Sequence, residues 1–160
     1  MRHHTKDKGD VGLTRVMADL VAHDIQVALP ISEHLPFDLI AIHPTGDLRR
    51  VSVKYRAMNE TGSVRVETRS VWNDRNGTHH RRHELNDYDA IAIYCPATDE
   101  CYYVPVSELT PSGRTLRIRD PQNSQVTGVF LARSCTDPHR LFEGDAVSRA
   151  RRDSNPRRSP

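Results

Sequence analysis

The chain is organised around a hairpin-like stretch in which a turn joins two short apolar runs. The first run, residues 36–42, reads Pro-Phe-Asp-Leu-Ile-Ala-Ile and carries one acid, Asp38. Residues 44–47, Pro-Thr-Gly-Asp, are typical of a turn that lets two strands pair in antiparallel fashion. In the second run, residues 50–56, the valines alternate with polar residues that include Lys54. Asp38 and Lys54 are therefore predicted to reach one small volume, where they can hold a divalent metal and orient a water molecule.

Composition limits the chain to a few classes of protein. Its 160 residues allow one domain with a core of its own. The formal net charge of +2 means that binding to a polyanion depends on local clusters of basic residues, in the middle of the chain and at 149–158. The three cysteines form no CxxC pair, which argues against a disulfide framework and a zinc site. No apolar run approaches the roughly 20 residues that span a bilayer. We therefore expect a cytoplasmic protein with no membrane partner.

The pattern along the chain predicts three regions. Residues 1–7 lack periodicity and are expected to be a flexible N-terminus, residues 8–120 form the folded domain, and residues 121–160 form a polar, Arg-rich, largely disordered tail. Within the domain, apolar spacing predicts a helix and several strands. In order these are a helix at about 10–23, a strand at 25–29, the hairpin described above, a third strand of the same sheet at 63–69, a second hairpin at 89–106 and an edge strand at 115–119.

A polar, basic and His-rich stretch at residues 72–83 is predicted to be a loop of uncommon length, and such loops are usually functional or disordered. Arginine, histidine and asparagine after a leading tryptophan suit contacts with phosphates and bases, although an exposed loop without that role has the same composition. A zinc site at its histidines lacks the expected spacing. With the arginines around the first hairpin, the candidates for nucleic-acid contact are Arg50, Arg56, Arg69, Trp72, Arg75, His79, Arg81 and Arg82.

The order Pro-x-Asp, hairpin, x-x-Lys resembles the PD-(D/E)xK nuclease superfamily, in which two acids and a lysine on a β-hairpin form a metal site. Residues 87–106, Asp-Tyr-Asp-Ala-Ile-Ala-Ile-Tyr-Cys-Pro-Ala-Thr-Asp-Glu-Cys-Tyr-Tyr-Val-Pro-Val, are similar to a hairpin of the group I intron-associated endonucleases and, more distantly, the chain resembles archaeal Holliday junction resolvases. The resemblance covers roughly residues 8–120. It implies an α/β fold of the α+β mixed-sheet kind, with a restriction-endonuclease-like core in which an N-terminal helix precedes a mixed β-sheet with two β-hairpins.

Carried over by position, the resemblance implies a role for each residue of the site. Asp38 is the metal ligand, Lys54 orients the attacking water, and Asp10 is the acid of the first helix. Ser52 occupies the second acid position, where the family has Asp or Glu and some members have Gln. Mg²⁺ keeps several waters and accepts one or two carboxylates. Asp38, Asp10, the Val53 carbonyl and a substrate phosphate can therefore bind Mg²⁺ or Mn²⁺, with Ser52 acting through water.

Three acids have alternative interpretations that the sequence leaves open. Asp10 either faces the metal or only carries a charge that is favourable at a helix start. Glu33 is either an auxiliary acid or a solvated loop residue. Glu67 either replaces the acid missing at Ser52, from a neighbouring strand, or forms an ordinary charge pair with an arginine.

The resemblance implies a Mg²⁺-dependent DNA endonuclease that hydrolyses phosphodiester bonds, either at a long specific duplex site or at a four-way junction. Because cleavage of two strands normally needs two active sites, it also implies a homodimer or homotetramer. The alternative is a catalytically weak or inactive nuclease-fold module that only binds DNA, and Ser52 is the residue that favours it. A small-molecule enzyme is not supported, since the sequence has no Gly-rich phosphate loop and no nucleophile elbow.

Overall fold

The computed structural model describes residues 4–74, 77–82, 87–120 and 128–143, and the side chains within 6–68, 87–120 and 128–143. One long helix is followed by ten strands and three 3₁₀ helices within these ranges. In chain order they are α1 (His4–Ala22), β1 (Gln26–Ala28), β2 (Leu39–Ile42), β3 (Leu48–Tyr55), β4 (Ser63–Val66), β5 (Arg69–Asp74), β6 (Gly77–Arg82), β7 (Ala90–Cys95), β8 (Glu100–Pro105), a 3₁₀ helix (Val106–Glu108), β9 (Arg114–Arg117), β10 (Phe130–Leu131) and two further 3₁₀ helices (Ala132–Cys135 and Pro138–Phe142).

The main sheet has five strands in the order β1-β2-β3-β7-β8. Strands β3 and β7 run parallel, and the other neighbouring pairs are antiparallel, so the sheet is mixed. The β2–β3 and β7–β8 pairs are the two predicted hairpins. The predicted α+β arrangement, an N-terminal helix before a mixed sheet with two hairpins, is confirmed.

Helix α1 packs on one face of the main sheet through its apolar stripe. Val16 and Leu20 are fully buried and lie in one core with Val51 of β3 and Ala92 of β7. The stripe follows the 3.6-residue period of a helix, as the apolar spacing predicts. Close approach of the two elements is possible at Gly12, where an added Cβ would lie 3.3 Å from the Cβ of Tyr55.

A second sheet, in the order β10-β9-β4, covers a second core on the opposite face. Its members include Ile91 and Ile93, which alternate along β7 with residues of the first core, and Leu116 of β9. Strand β7 is therefore buried on both faces, which explains its uninterrupted apolar sequence. The turn before β9 requires glycine, because Gly113 has φ +92° and an added Cβ would lie 2.0 Å from the Val66 carbonyl oxygen.

Three sequence-based expectations about strands were wrong. Strand β4 belongs to the second sheet, since alternation of apolar residues reveals a half-buried strand without naming its partner. Strand β9 is not an edge strand, because β10 and β4 lie on its two sides. The stretch predicted as a long loop contributes to β5 and β6, which pair from Arg69↔Arg82 to Asp74↔Gly77. Main-chain hydrogen bonds can pair two polar strands, and such strands show no alternation of apolar residues in the sequence.

Helical and buried residues also lie outside the predicted limits of the folded domain, on both sides. Helix α1 already begins at His4, so residues 4–7 are helical where a flexible N-terminus was expected. Residues 128–143 are not a disordered tail, since Ala132, Cys135 and Leu141 are buried in the two cores. These apolar residues sit in short 3₁₀ helices, which lack a repeating pattern. Residues 144–160 lie outside the described ranges.

Candidate active site

Asp38 lies immediately before β2, and the main chain of β3 fixes its position. Its backbone N–H donates to the Val51 carbonyl at 2.9 Å, and its Oδ2 accepts the Val53 N–H at 2.6 Å. The last register pair of the two strands at this end is Leu39↔Val51. The carboxylate therefore continues the pairing where β2 stops. Its other oxygen, Oδ1, has no hydrogen-bond partner among the described residues, so it is available to a ligand.

Ser52, at the predicted second acid position, contacts Asp38 directly. Its hydroxyl donates to Asp38 Oδ2 at 3.3 Å, and the residue is only 3% exposed. Two donors, this hydroxyl and the Val53 N–H, thus hold the same carboxylate oxygen. The arrangement lets Ser52 orient the acid without supplying a charge.

Lys54 follows two residues later on β3 and is half-buried. Burial lowers the pKa of its ammonium below the ordinary value, the carboxylate of Asp38 opposes that effect, and the guanidinium of Arg56 adds to it. Asp38 is thus close enough to Lys54 for their charges to interact. The structure brings together three of the residues predicted from the sequence: Asp38, Ser52 and Lys54.

The main chain of Val53 presents a second group at the same place. In a β-strand the N–H and C=O of one residue point to the same edge. Because the Val53 N–H bonds to Asp38, its carbonyl points to that edge too, where β2 has already ended. The carbonyl oxygen is a hard acceptor of the kind that Mg²⁺ binds.

Asp10 is exposed on α1, and no described contact joins it to the other three candidates. Its main-chain contact is local: the Thr14 hydroxyl donates to the Asp10 carbonyl at 2.8 Å. Helix α1 approaches β3 closely at Gly12, and Gly9 lines the groove between the two elements. Successive helix positions differ by about 100°, so Asp10 is turned away from that stripe. Its part in the site stays a prediction.

The two other acids are placed differently. Glu33 is exposed in the segment between β1 and β2. Glu67 follows β4 of the second sheet and pairs with Arg65, with Nε and Oε1 3.4 Å apart, as the charge-pair interpretation expected. Among the residues whose side chains are described, no group of three or more His, Cys, Asp or Glu side chains is arranged to hold a metal ion.

Arg50, a candidate for nucleic-acid contact, forms an ion pair that the sequence analysis missed. Its Nε and Nη2 donate to the two carboxylate oxygens of Asp89 at 3.2 and 3.0 Å, and its backbone N–H donates at 2.8 Å. Burial alone would raise the pKa of Asp89, but the hydrogen bonds and charge of Arg50 outweigh it and lower that pKa. The pair clamps β3 to the residue before β7. Its sequence signal was the position of Asp89, an acid directly before the strongly apolar strand β7.

The other candidates for nucleic-acid contact fall into two groups. Arg56 lines a groove at the end of β3, and its Nη1 donates to the Tyr55 carbonyl at 3.1 Å. Arg75 lies outside the described residues. For the rest the structure describes the main chain alone, which places Arg69 and Trp72 on β5 and His79, Arg81 and Arg82 on β6, with Trp72 opposite His79.

A family model described as PD-(D/E)XK endonuclease matches residues 3–136. The chain belongs to the PD-(D/E)XK endonuclease family. The resemblance read from the two hairpins is thereby confirmed, and the match extends past residue 120 into the segment that contains β10. Membership identifies the protein as a nuclease of a family that acts on DNA and generally uses divalent metals.

A search of the solved structures supports the fold. The structure of a bacterial homing endonuclease, I-Ssp6803I, matches with a TM-score of 0.68 and 18% sequence identity, covering 96% of this chain and 100% of that chain. At this identity the likeness shows the fold, and it confirms the restriction-endonuclease-like core. A search of curated proteins finds no match. Among the described helices, none combines the length and apolar character needed to cross a membrane.

Proposed function

We propose that this PD-(D/E)XK protein is a Mg²⁺-dependent DNA endonuclease that hydrolyses phosphodiester bonds. The observation that carries the proposal is the hydrogen bond from the Val53 N–H to Asp38 Oδ2, which fixes a carboxylate beside Lys54 at the end of β2. A hydrolytic site needs an acid to bind the cation and a positive group near the phosphate, and both are present.

The donor set fits a hard cation that retains most of its water. Asp38 Oδ1 and the Val53 carbonyl offer two oxygens at one strand edge. Mg²⁺ commonly takes one or two carboxylates and completes its shell with water and substrate phosphate, and Mn²⁺ accepts similar ligands. When bound, such a cation polarises the phosphate and makes a bound water more acidic. With so few protein ligands, we expect weak metal binding without DNA.

Each protein residue of the proposed site has its own role in hydrolysis. Asp38 binds the cation, and the ammonium of Lys54 donates to a phosphate oxygen or to the attacking water and offsets the negative charge that builds up in the transition state. Ser52 orients Asp38 through its hydroxyl. Asp10 remains a candidate for a second metal ligand or for its hydration shell.

The DNA is proposed to lie along Arg56 and the β5–β6 hairpin. Two-stranded ribbons fit the major groove, and this ribbon carries basic or aromatic residues at half of its positions. We place the contacts at Arg69, Trp72, Arg75, His79, Arg81 and Arg82. Arg50 is a weaker candidate because Asp89 already occupies two of its side-chain donors.

The proposed substrate is either a specific duplex site or a four-way junction, cut by a homodimer or homotetramer so that each strand meets its own active site. The alternative function is a nuclease-fold module that binds DNA and cleaves it weakly or not at all. The specific observation behind it is that a neutral serine fills the position beside Asp38.

Cleavage of a supercoiled plasmid and of a four-way junction, each with Mg²⁺, Mn²⁺ or EDTA, separates these functions. The proposal predicts metal-dependent cleavage that is lost in Asp38→Ala and in Lys54→Ala. Asp120→Ala is the matched control, because Asp120 is exposed and pairs with Arg133 near the second sheet. Absence of cleavage with every substrate, together with DNA binding that neither site substitution alters, would favour the binding module.

A further inference from the structure

A groove runs between the first turns of α1 and the end of β3, beside the candidate active site. Lys8 and Gly9 line it from the helix, and residues 53–57 line it from the strand and the segment that follows. Its volume is about 380 Å³. Val53 belongs both to this groove and to the Asp38 hydrogen bond, so the groove adjoins the site.

The lining of the groove is strongly positive. Lys8, Lys54 and Arg56 contribute three cations, and no acidic residue is among the described residues that line it. Lys54 and Arg56 are close enough for the charge of Arg56 to lower the pKa of Lys54. An anion bound in the groove would therefore relieve the repulsion between Lys54 and Arg56.

Both outer cations contact Tyr55. The Lys8 ammonium lies 6.0 Å from the centre of the Tyr55 ring, at the limit of a cation–π contact. One Arg56 donor bonds to the Tyr55 carbonyl, which leaves other N–H groups of its guanidinium for a ligand. At Gly9 an added Cβ would meet nothing within 4 Å, so the absence of a side chain keeps this wall of the groove open.

We propose that this groove binds a backbone phosphate of the DNA strand, next to the phosphate that is cleaved, with Lys8 and Arg56 as its cations. The inference rests on the proposed function for the identity of the ligand as DNA. It assigns a role to Lys8 and Gly9, which the DNA-contact candidates do not include. The groove positions the strand, and Asp38 with Lys54 acts on the neighbouring phosphate.

The test is the salt dependence of binding to a short labelled duplex, with Ca²⁺ in place of Mg²⁺ so that binding is measured without cleavage. The slope of log K against log salt is negative, and each lost phosphate contact on B-DNA reduces its magnitude by about 0.9. The slope is given below as this magnitude. Lys8→Gln is expected to lower the slope by about this amount. Lys6→Gln is the matched control, since Lys6 is exposed on the same helix about 200° away and the variant has the same net charge.

Gly9→Leu tests the groove without removing a charge. Its side chain would fill the open wall, so the slope should fall as it does in Lys8→Gln. Leucine is a better helix former than glycine, and the melting temperature should therefore be retained or raised. A slope that is unchanged in both variants, or lowered equally by Lys6→Gln, overturns the phosphate groove.

The two proposals fail in different ways. If the wild-type protein cleaves DNA and both Lys8→Gln and Gly9→Leu have the wild-type slope, the nuclease proposal stands and the groove proposal is rejected. If the protein does not cleave DNA, but the slope falls in Lys8→Gln and Gly9→Leu and not in Lys6→Gln, the groove proposal stands and the nuclease proposal is rejected. A wild-type protein that does not bind duplex DNA at all overturns the groove.

Discussion

The carboxylate of Asp38 accepts a hydrogen bond from the Val53 N–H at 2.6 Å, so a side chain takes the place of a strand partner where β2 ends. The contact joins the two halves of the first hairpin at the proposed metal site. It also explains how one acid can be held firmly although serine stands where a second acid is usual.

Ser52 is predicted to position Asp38 through a single long hydrogen bond. Removing the hydroxyl in Ser52→Ala should cost about 1 kcal/mol of transition-state stabilisation, or roughly a 5-fold lower single-turnover cleavage rate. Ser63→Ala is a matched control, because Ser63 is 4% exposed and lies on β4 of the second sheet. A loss greater than roughly 100-fold in Ser52→Ala would show that the hydroxyl is needed at the metal itself.

The Arg50–Asp89 pair should make stability depend on pH in the acidic range. The pKa of Asp89 is lowered in the folded protein, so its contribution is complete above the unfolded value of about 4 and is lost as pH falls through the folded value. The two side chains are 40% and 35% exposed, so solvent screens the pair and limits this contribution to about 1 kcal/mol.

Urea unfolding of the wild type and Asp89→Asn checks this prediction. The difference in unfolding free energy should be present at neutral pH and shrink as the pH falls below about 4. Asp120→Asn removes one partner of an exposed ion pair and should show a smaller difference at neutral pH. A difference for Asp89→Asn that grows on acidification contradicts the assignment.

Tyr103 should tie β8 to α1. The residue is fully buried, and its hydroxyl donates to Asp19 Oδ2 at 2.5 Å. Burial, and then the hydrogen bond to Asp19, raise the pKa of Tyr103. Because the bond joins a buried hydroxyl to a carboxylate, Tyr103→Phe should lower the free energy of unfolding by about 1.5–3 kcal/mol, measured with urea.

Tyr94→Phe is the comparison for that substitution. The Tyr94 hydroxyl donates to Asp99, whose side chain is 61% exposed, so water can replace the lost bond and the destabilisation should be smaller. Equal losses of unfolding free energy in the two variants would show that the buried bond to Asp19 contributes no more than the exposed bond to Asp99.

Leu141 tests whether the segment after β10 is part of the folded domain. It is 1% exposed in the core that contains the apolar stripe of α1. Leu141→Ala should lower the free energy of unfolding by about 2–5 kcal/mol. Leu48→Ala, at a leucine that is 57% exposed, should change it by less than about 0.5 kcal/mol. Similar small effects at both leucines would mean that residues 128–143 do not pack as the structure shows.

The part of the site that the sequence predicted is the part encoded by local pattern. Ser52 and Lys54 lie on β3, and Asp38 immediately precedes β2, which a short turn joins to β3. Their proximity therefore follows from strand pairing and side-chain alternation. The apolar run of β7 likewise predicted a buried strand. In both cases the residues that determine the contact are close in sequence or share one element.

What the sequence did not reveal depends on distant partners. Strand β4 pairs with β9, some fifty residues later, and alternation gives no information about that choice. Strands β5 and β6 contain polar residues at most positions, so their pairing left no apolar signal. The direction of Asp10 depends on how α1 sits on β3, which Gly12 and Tyr55 determine through close packing.

The most direct test of the nuclease function is a measurement of DNA binding and DNA cleavage on the same preparation of Asp38→Asn. Asparagine keeps an oxygen that can accept the Val53 N–H, so the fold and DNA affinity should be retained. Loss of the charge removes the cation's ligand, which should slow single-turnover cleavage with Mg²⁺ by about 1000-fold or more, equivalent to about 4 kcal/mol. Cleavage by Asp38→Asn at the wild-type rate would contradict the assignment of Asp38 and with it the proposed active site.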